Sequence, residues 1–220
     1  MRRVLSVVVA AVAMAFFFVV PAQAATANQP ILFVHGYSSN GSTWNEMLAS
    51  FRAVGYTDSE LFAISYNSNQ SNVTTAQQLK TKVDEIRAQT GWASIDIIGH
   101  SMGSLSSRYY LRNLGGQSKV DAWVSLAGAN HGTTTAKFCF SPSCKEMRPN
   151  SSFLTSLNSG DETPGPVRYR TWWSACDTTI NPDSSVSLVG AINTKTACIG
   201  HSAMLTDDTV FSQVELFIDP

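Results

Sequence analysis

Apolar and polar positions along this chain fall into two alternating periods. Short apolar runs bounded by turn residues read as buried strands at Ile31–Val34, Leu61–Tyr66, Ile95–Ile98, Ala122–Ala127 and Val167–Trp173, with a further strand predicted over Thr194–Ile199. Helical patterns lie between them. Residues 43–53 place Trp44, Met47, Leu48 and Phe51 on one face. Asn72 or Thr74 is the expected cap of a longer helix to about Ala88, with Leu79, Val83 and Ile86 inward, Lys80, Lys82, Asp84 and Glu85 outward, and Gly91 as its stop. Residues 101–113 form a third helix closed by Gly115-Gly116, and residues 209–218 an amphipathic closing one. Residues 129–165 are rich in Ser, Asn, Pro and Gly and are predicted to be irregular.

Strand and helix in alternation imply an α/β fold, here a compact, mostly parallel sheet of about six strands with helices on both faces. Such sheets gather their functional groups at the C-terminal ends of the strands. A chain of 220 residues that is 44% hydrophobic supports one core and is short for two ordinary domains.

The beginning of the chain does not belong to that pattern. Arg2 and Arg3 precede an apolar run from Val4 to Val20, Pro21 breaks it, and Ala22-Gln23-Ala24 offers small residues at cleavage positions. Residues 1–24 are therefore expected to be a cleaved signal peptide, leaving residues 25–220 as a single exported, extracellular domain without a stable membrane anchor. A run of this length is also somewhat short for a bilayer span. Removal of residues 1–24 takes two arginines and no acid, so the chain of 15 basic and 16 acidic residues becomes net acidic, about −3. Nothing in that balance draws it to nucleic acid or to anionic membranes. An export route fits the four cysteines, all in the second half. Three pairings are possible; Cys139–Cys144, which is local, and Cys176–Cys198, which would join two neighbouring loops, are the favoured ones. A four-thiolate zinc site lacks its paired C-x₂-C knuckles, and no metal is expected.

Candidate chemistry lies where the predicted strands end. Gly99-His100-Ser101-Met102-Gly103 matches G-x-S-x-G between a strand and a helix, the context that turns this motif into a nucleophile elbow. Glycines two before and two after Ser101 permit the sharp turn, and the helix behind it favours a developing oxyanion. His35-Gly36-Tyr37 follows the first strand, so the Tyr37 and Met102 N–H groups are candidate oxyanion donors, with His35 bracing the loop. Only four histidines exist, and triad order on such sheets is Ser, acid, His. Asp121 precedes a strand and sits at the wrong edge, which leaves His201 as base, with Asp177 as acid ahead of Asp183, and His131 as structural. Cys176 adjoins Asp177 and Cys198 lies three before His201, so a bond between them would hold acid and base loops together.

These pieces, together with Ala127-Gly128-Ala129-Asn130-His131-Gly132-Thr133 and the 174–201 segment, resemble the small secreted bacterial triacylglycerol lipases of the α/β-hydrolase superfamily, of actinomycete and bacillus type. The resemblance spans nearly the whole mature chain. It implies a carboxylic ester hydrolase, a lipase or esterase, acting through an acyl-enzyme without metal or organic cofactor, as a monomer on ester or lipid substrates, at times at an oil–water interface. A polyester depolymerase, cutinase-like enzyme or thioesterase would use the same triad, and a non-catalytic binding protein could share the fold. The stretch 136–166 is longer than the most compact members need; it is either a border or flap of the acyl pocket or a stapled surface loop.

Overall fold

A computed structural model describes residues 28–219. The signal peptide expected over 1–24 lies outside the described residues. Six strands, β1 (Ile31–Val34), β2 (Leu61–Ile64), β3 (Ile95–His100), β4 (Val120–Leu126), β5 (Arg168–Trp173) and β6 (Ile192–Lys195), form one sheet in the order β2-β1-β3-β4-β5-β6. Every pairing is parallel. The helices are α1 (Asn45–Ala53), α2 (Asn72–Thr90), α3 (Met102–Asn113), α4 (Pro142–Glu146), α5 (Ser152–Leu157) and α6 (Asp208–Ile218).

The unbroken apolar run of β1 is explained by cover on both sides. Ile31 and Phe33 join Trp44, Phe51, Val210 and Val214 in a core beneath α1 and α6. Leu32 and Val34 point the other way, to Leu79, Val83, Ile86 and Leu111 of α2 and α3. A period of two on a strand thus feeds two cores, and a strand buried on both faces has no polar position to spare.

Three local readings change. The cap of α2 is Ser71, whose hydroxyl accepts from the Val73 N–H at 3.1 Å. Asn72 is instead buried inside the first turn, where it donates to Glu146 at 2.9 Å and accepts from Ser106 at 2.6 Å. Residues 129–165 are not wholly irregular: they contain a 3-10 turn at Thr134–Phe138 and the short α4 and α5, capped by Ser141 and Ser151. The last strand runs over Ile192–Lys195 rather than 194–199; its final ladder bond is the Thr196 N–H to the Trp173 carbonyl at 2.8 Å, and the residues beyond it are loop.

Candidate active site

The strand ends β1, β3 and β5 carry the groups of interest. Ser101 follows β3 directly, with φ 54 and ψ −124, a region L-residues seldom occupy. The surroundings hold it there. Its N–H donates to the Leu126 carbonyl at 3.0 Å, and its carbonyl accepts from Ser104 at 3.2 Å. The flanking glycines are needed for space. A Cβ at Gly103 would collide with the carbonyl oxygens of Val34 and His35, and one at Gly99 would stand 3.0 Å from the Ser104 nitrogen. Met102 opens α3, so its N–H has no acceptor within the helix.

The loop after β1 reaches the same place. A Cβ on Gly36 would sit 2.9 Å from the Ser101 Cβ, so only glycine allows this approach. His35 Nδ1 lies 2.8 Å from the Gly36 carbonyl, and its Nε2 lies 3.2 Å from the Tyr66 amide nitrogen. Amide N–H groups only donate, so Nε2 is the acceptor and Nδ1 carries the proton. Burial holds the His35 pKa below its ordinary value against the opposing Gly36 bond. The Tyr66 ring stacks on His35 at 4.0 Å and its hydroxyl donates to the His35 carbonyl. His35 is thus a neutral brace, and Tyr37, two residues on, lines the space in front of Ser101.

Beyond β5, Asp177 Oδ2 lies 2.8 Å from His201 Nδ1, with side-chain exposures of 2% and 14%. The other carboxylate oxygen accepts from the Thr179 and Ile180 amides at 2.8 and 3.1 Å. Burial alone would raise the Asp177 pKa. The His201 bond and charge and the two amides outweigh it and hold the carboxyl below its ordinary value. Asp183 is used locally, accepting from the Ser184 amide at 2.8 Å. His131 is 2.7 Å from Glu162 Oε1, with its other nitrogen at the Ser185 carbonyl.

Two side chains that the sequence did not single out join these loops. His100 Nε2 donates to the His201 carbonyl at 3.1 Å, and the two rings lie 4.6 Å apart. Burial, aided by the His201 charge, pushes the His100 pKa down to about 3, so it is a neutral donor. The Ser174 hydroxyl accepts from the Cys176 and Ile199 amides, both at 3.1 Å, and donates to the Ala197 carbonyl. Motif spacing carries no sign of the Ser174 role. His100 lay in plain view inside the G-x-S-x-G motif, but its acceptor is 101 residues away.

The cysteines pair as Cys139–Cys144 and Cys176–Cys198. The second closes a loop of 22 residues across the acid and base loops. Replacing Cys176 and Cys198 together by serine is expected to lower unfolding stability by roughly 3 kcal/mol. Urea denaturation measures this; an unchanged midpoint would deny the bond any clamping role.

Ser101 opens on two clefts. One is bordered mainly by apolar surface from Tyr37, Ala136, Cys139, Met147 and Ile180. Of the segment 136–166, Ala136, Cys139 and Met147 line this cleft. The other is more polar and includes Ser38, Ser39, Thr43, Ser202 and His201. Among the described residues no cluster of His, Cys, Asp and Glu could hold a metal ion. No described helix is long and apolar enough to cross a membrane.

A family model described as lipase (class 2) matches residues 28–214. Among solved structures, a Bacillus licheniformis lipase in its mature form aligns with a TM-score of 0.78 at 17% identity, over 90% of this chain and 95% of that one. Its propeptide form aligns with a TM-score of 0.75 at 18% identity, over 87% of this chain and 50% of the other. Lipase B of Aspergillus fumigatus gives 0.74 at 17% identity, over 85% of this chain and 51% of that one. This chain thus spans about half the length of the last two and nearly all of the first. At such identities the structural likeness establishes the α/β-hydrolase fold. With the family match running through both the bend at Ser101 and the paired Asp177 and His201, the chain belongs to the class 2 lipase family.

Proposed function

We propose that this chain acts outside the cell and hydrolyses carboxylic esters through a covalent acyl-enzyme, with Ser101 as nucleophile, His201 as base and Asp177 as its orienting acid. The observation that carries this reading is the buried Asp177–His201 bond of 2.8 Å, in a cleft that His201 shares with Ser101. Asp177 accepts a hydrogen bond from the Nδ1–H of His201, which leaves Nε2 free to accept. Ser101 Oγ gives its proton to Nε2 as it attacks the ester carbonyl. The carbonyl oxygen becomes an oxyanion held by the N–H groups of Met102 and Tyr37. Collapse expels the alcohol, which takes the proton from Nε2. Water then attacks the acyl-enzyme with Nε2 again as base, and the acid leaves. The apolar cleft takes the acyl chain and the polar one the alcohol.

A series of nitrophenyl esters of rising chain length tests this. Each methylene that enters the apolar cleft adds about 0.8 kcal/mol, or roughly fourfold in kcat/KM. The rise is expected to stop once the acyl chain outgrows the cleft that Cys139 and Met147 help to line. Met147→Ala moves that break to a longer ester. A profile with no rise would remove the acyl cleft, and no labelling of Ser101 by an organophosphonate would remove the nucleophile.

A further inference from the structure

The loop from Thr134 to Arg148 turns its small and apolar side chains inward, where Ala136, Cys144 and Met147 pack against Met102 and Leu105. Two large apolar side chains do the opposite. Phe138 is 85% exposed and Phe140 is 75% exposed, on either side of Cys139, which borders the apolar cleft. The loop is not free to tuck them away. The Cys139–Cys144 bond closes it, and Arg148 donates to the carbonyls of Ala136 and Cys139 at 3.2 and 2.9 Å. The Arg148 guanidinium also lies 5.8 Å from the Phe140 ring centroid.

The charge beside these rings has one sign. Lys137 and Lys145 are exposed and, among the described residues, form no ion pair. Glu146 is the only acid between residues 129 and 160. Its carboxylate is turned inward, accepting from Ser71 at 2.5 Å and from the Asn72 amide at 2.6 Å. The loop therefore shows a basic, aromatic surface on a chain whose overall charge is slightly acidic.

We propose that this loop docks the protein onto a negatively charged lipid surface, with Phe138 and Phe140 inserted among the acyl chains and Lys137 and Lys145 against the headgroups. The proposal rests on the ester-hydrolase reading only for its placement beside the acyl cleft. Two protruding rings on a closed loop lose little conformational freedom on insertion, and the outward Lys137 and Lys145 complement anionic headgroups. Each lysine near an anionic surface adds about a factor of five, falling with salt.

The test is partitioning of the Ser101→Ala protein, which cannot turn over ester, onto vesicles of phosphatidylcholine with and without phosphatidylglycerol. Binding is expected on the mixed vesicles. Phe138→Ser with Phe140→Ser weakens it by about tenfold or more, and Lys137→Glu with Lys145→Glu weakens it at least about tenfold on the mixed vesicles alone. In the otherwise wild-type enzyme the same changes leave hydrolysis of a soluble short ester intact, which separates failure of docking from failure of the hydrolase reading. Should the double serine variant misfold, Phe138→Trp offers the second measurement: its added fluorescence is quenched by brominated lipid. Absence of vesicle binding, binding indifferent to all four residues, no quenching, or self-association of the protein through the two rings in place of lipid binding would each overturn the proposal.

Discussion

Substituting Ser101 by alanine is expected to lower kcat on a soluble ester by roughly a millionfold. Only the hydroxyl is lost. Alanine accepts the same φ of 54 no worse than serine, and the N–H bond to Leu126 is untouched. The melting temperature should therefore stay close to that of the parent. What survives is the background supplied by the oxyanion donors and substrate binding, which still exceeds the rate in water. Stopped-assay kinetics with nitrophenyl esters, beside a thermal melt, give both numbers. A variant retaining more than about a hundredth of the parent rate would move the nucleophile elsewhere.

Asp177→Asn should cost roughly ten-thousandfold in kcat with little change in KM. The reason is directional. One oxygen of Asp177 already receives the Thr179 and Ile180 amides, so an asparagine keeps its carbonyl there and turns its NH₂ toward His201. The ring must then accept at Nδ1 and carry its proton on Nε2, where the Ser101 proton needs to go. The negative charge that steadies the imidazolium is also gone. The same substitution alters acid stability. In the parent, the Asp177 pKa is lower folded than unfolded, so its contribution is present above the ordinary carboxylate range and is lost as pH falls through the depressed value. The asparagine variant lacks that acid-side loss. Melts taken across acidic pH would show it, and parallel curves for the two proteins would refute it.

The fold was legible where both faces of an element are buried. β1, β3 and β4 announce themselves as apolar runs because their side chains are buried on both faces, with the partly exposed Asp121 at the start of β4 as the exception. β6 was misplaced for the converse reason. Ile192, Asn193 and Lys195 are exposed on a sheet edge and carry no alternation, whereas Ile199, which drew the prediction toward 199, packs against the core from a loop. The five-residue α4 and six-residue α5 are too short to display a helical period, and only their serine caps hinted at them. At the site, chain order and the position of the cysteines sufficed to bring Asp177 and His201 together. The supports from His100 and Ser174 were hidden because they end on main-chain atoms, which every residue possesses alike.

The wholly parallel sheet bears on how the chain reaches this state. No two neighbouring strands are joined by a hairpin, so each pairing must close a long loop before it gains anything, and assembly is correspondingly slow. Ser101 borrows its anchoring carbonyl from Leu126 on the adjacent β4. The bend at Ser101 thus matures late, after the middle of the sheet has come into register, and regain of reactivity would trail the return of secondary structure during renaturation.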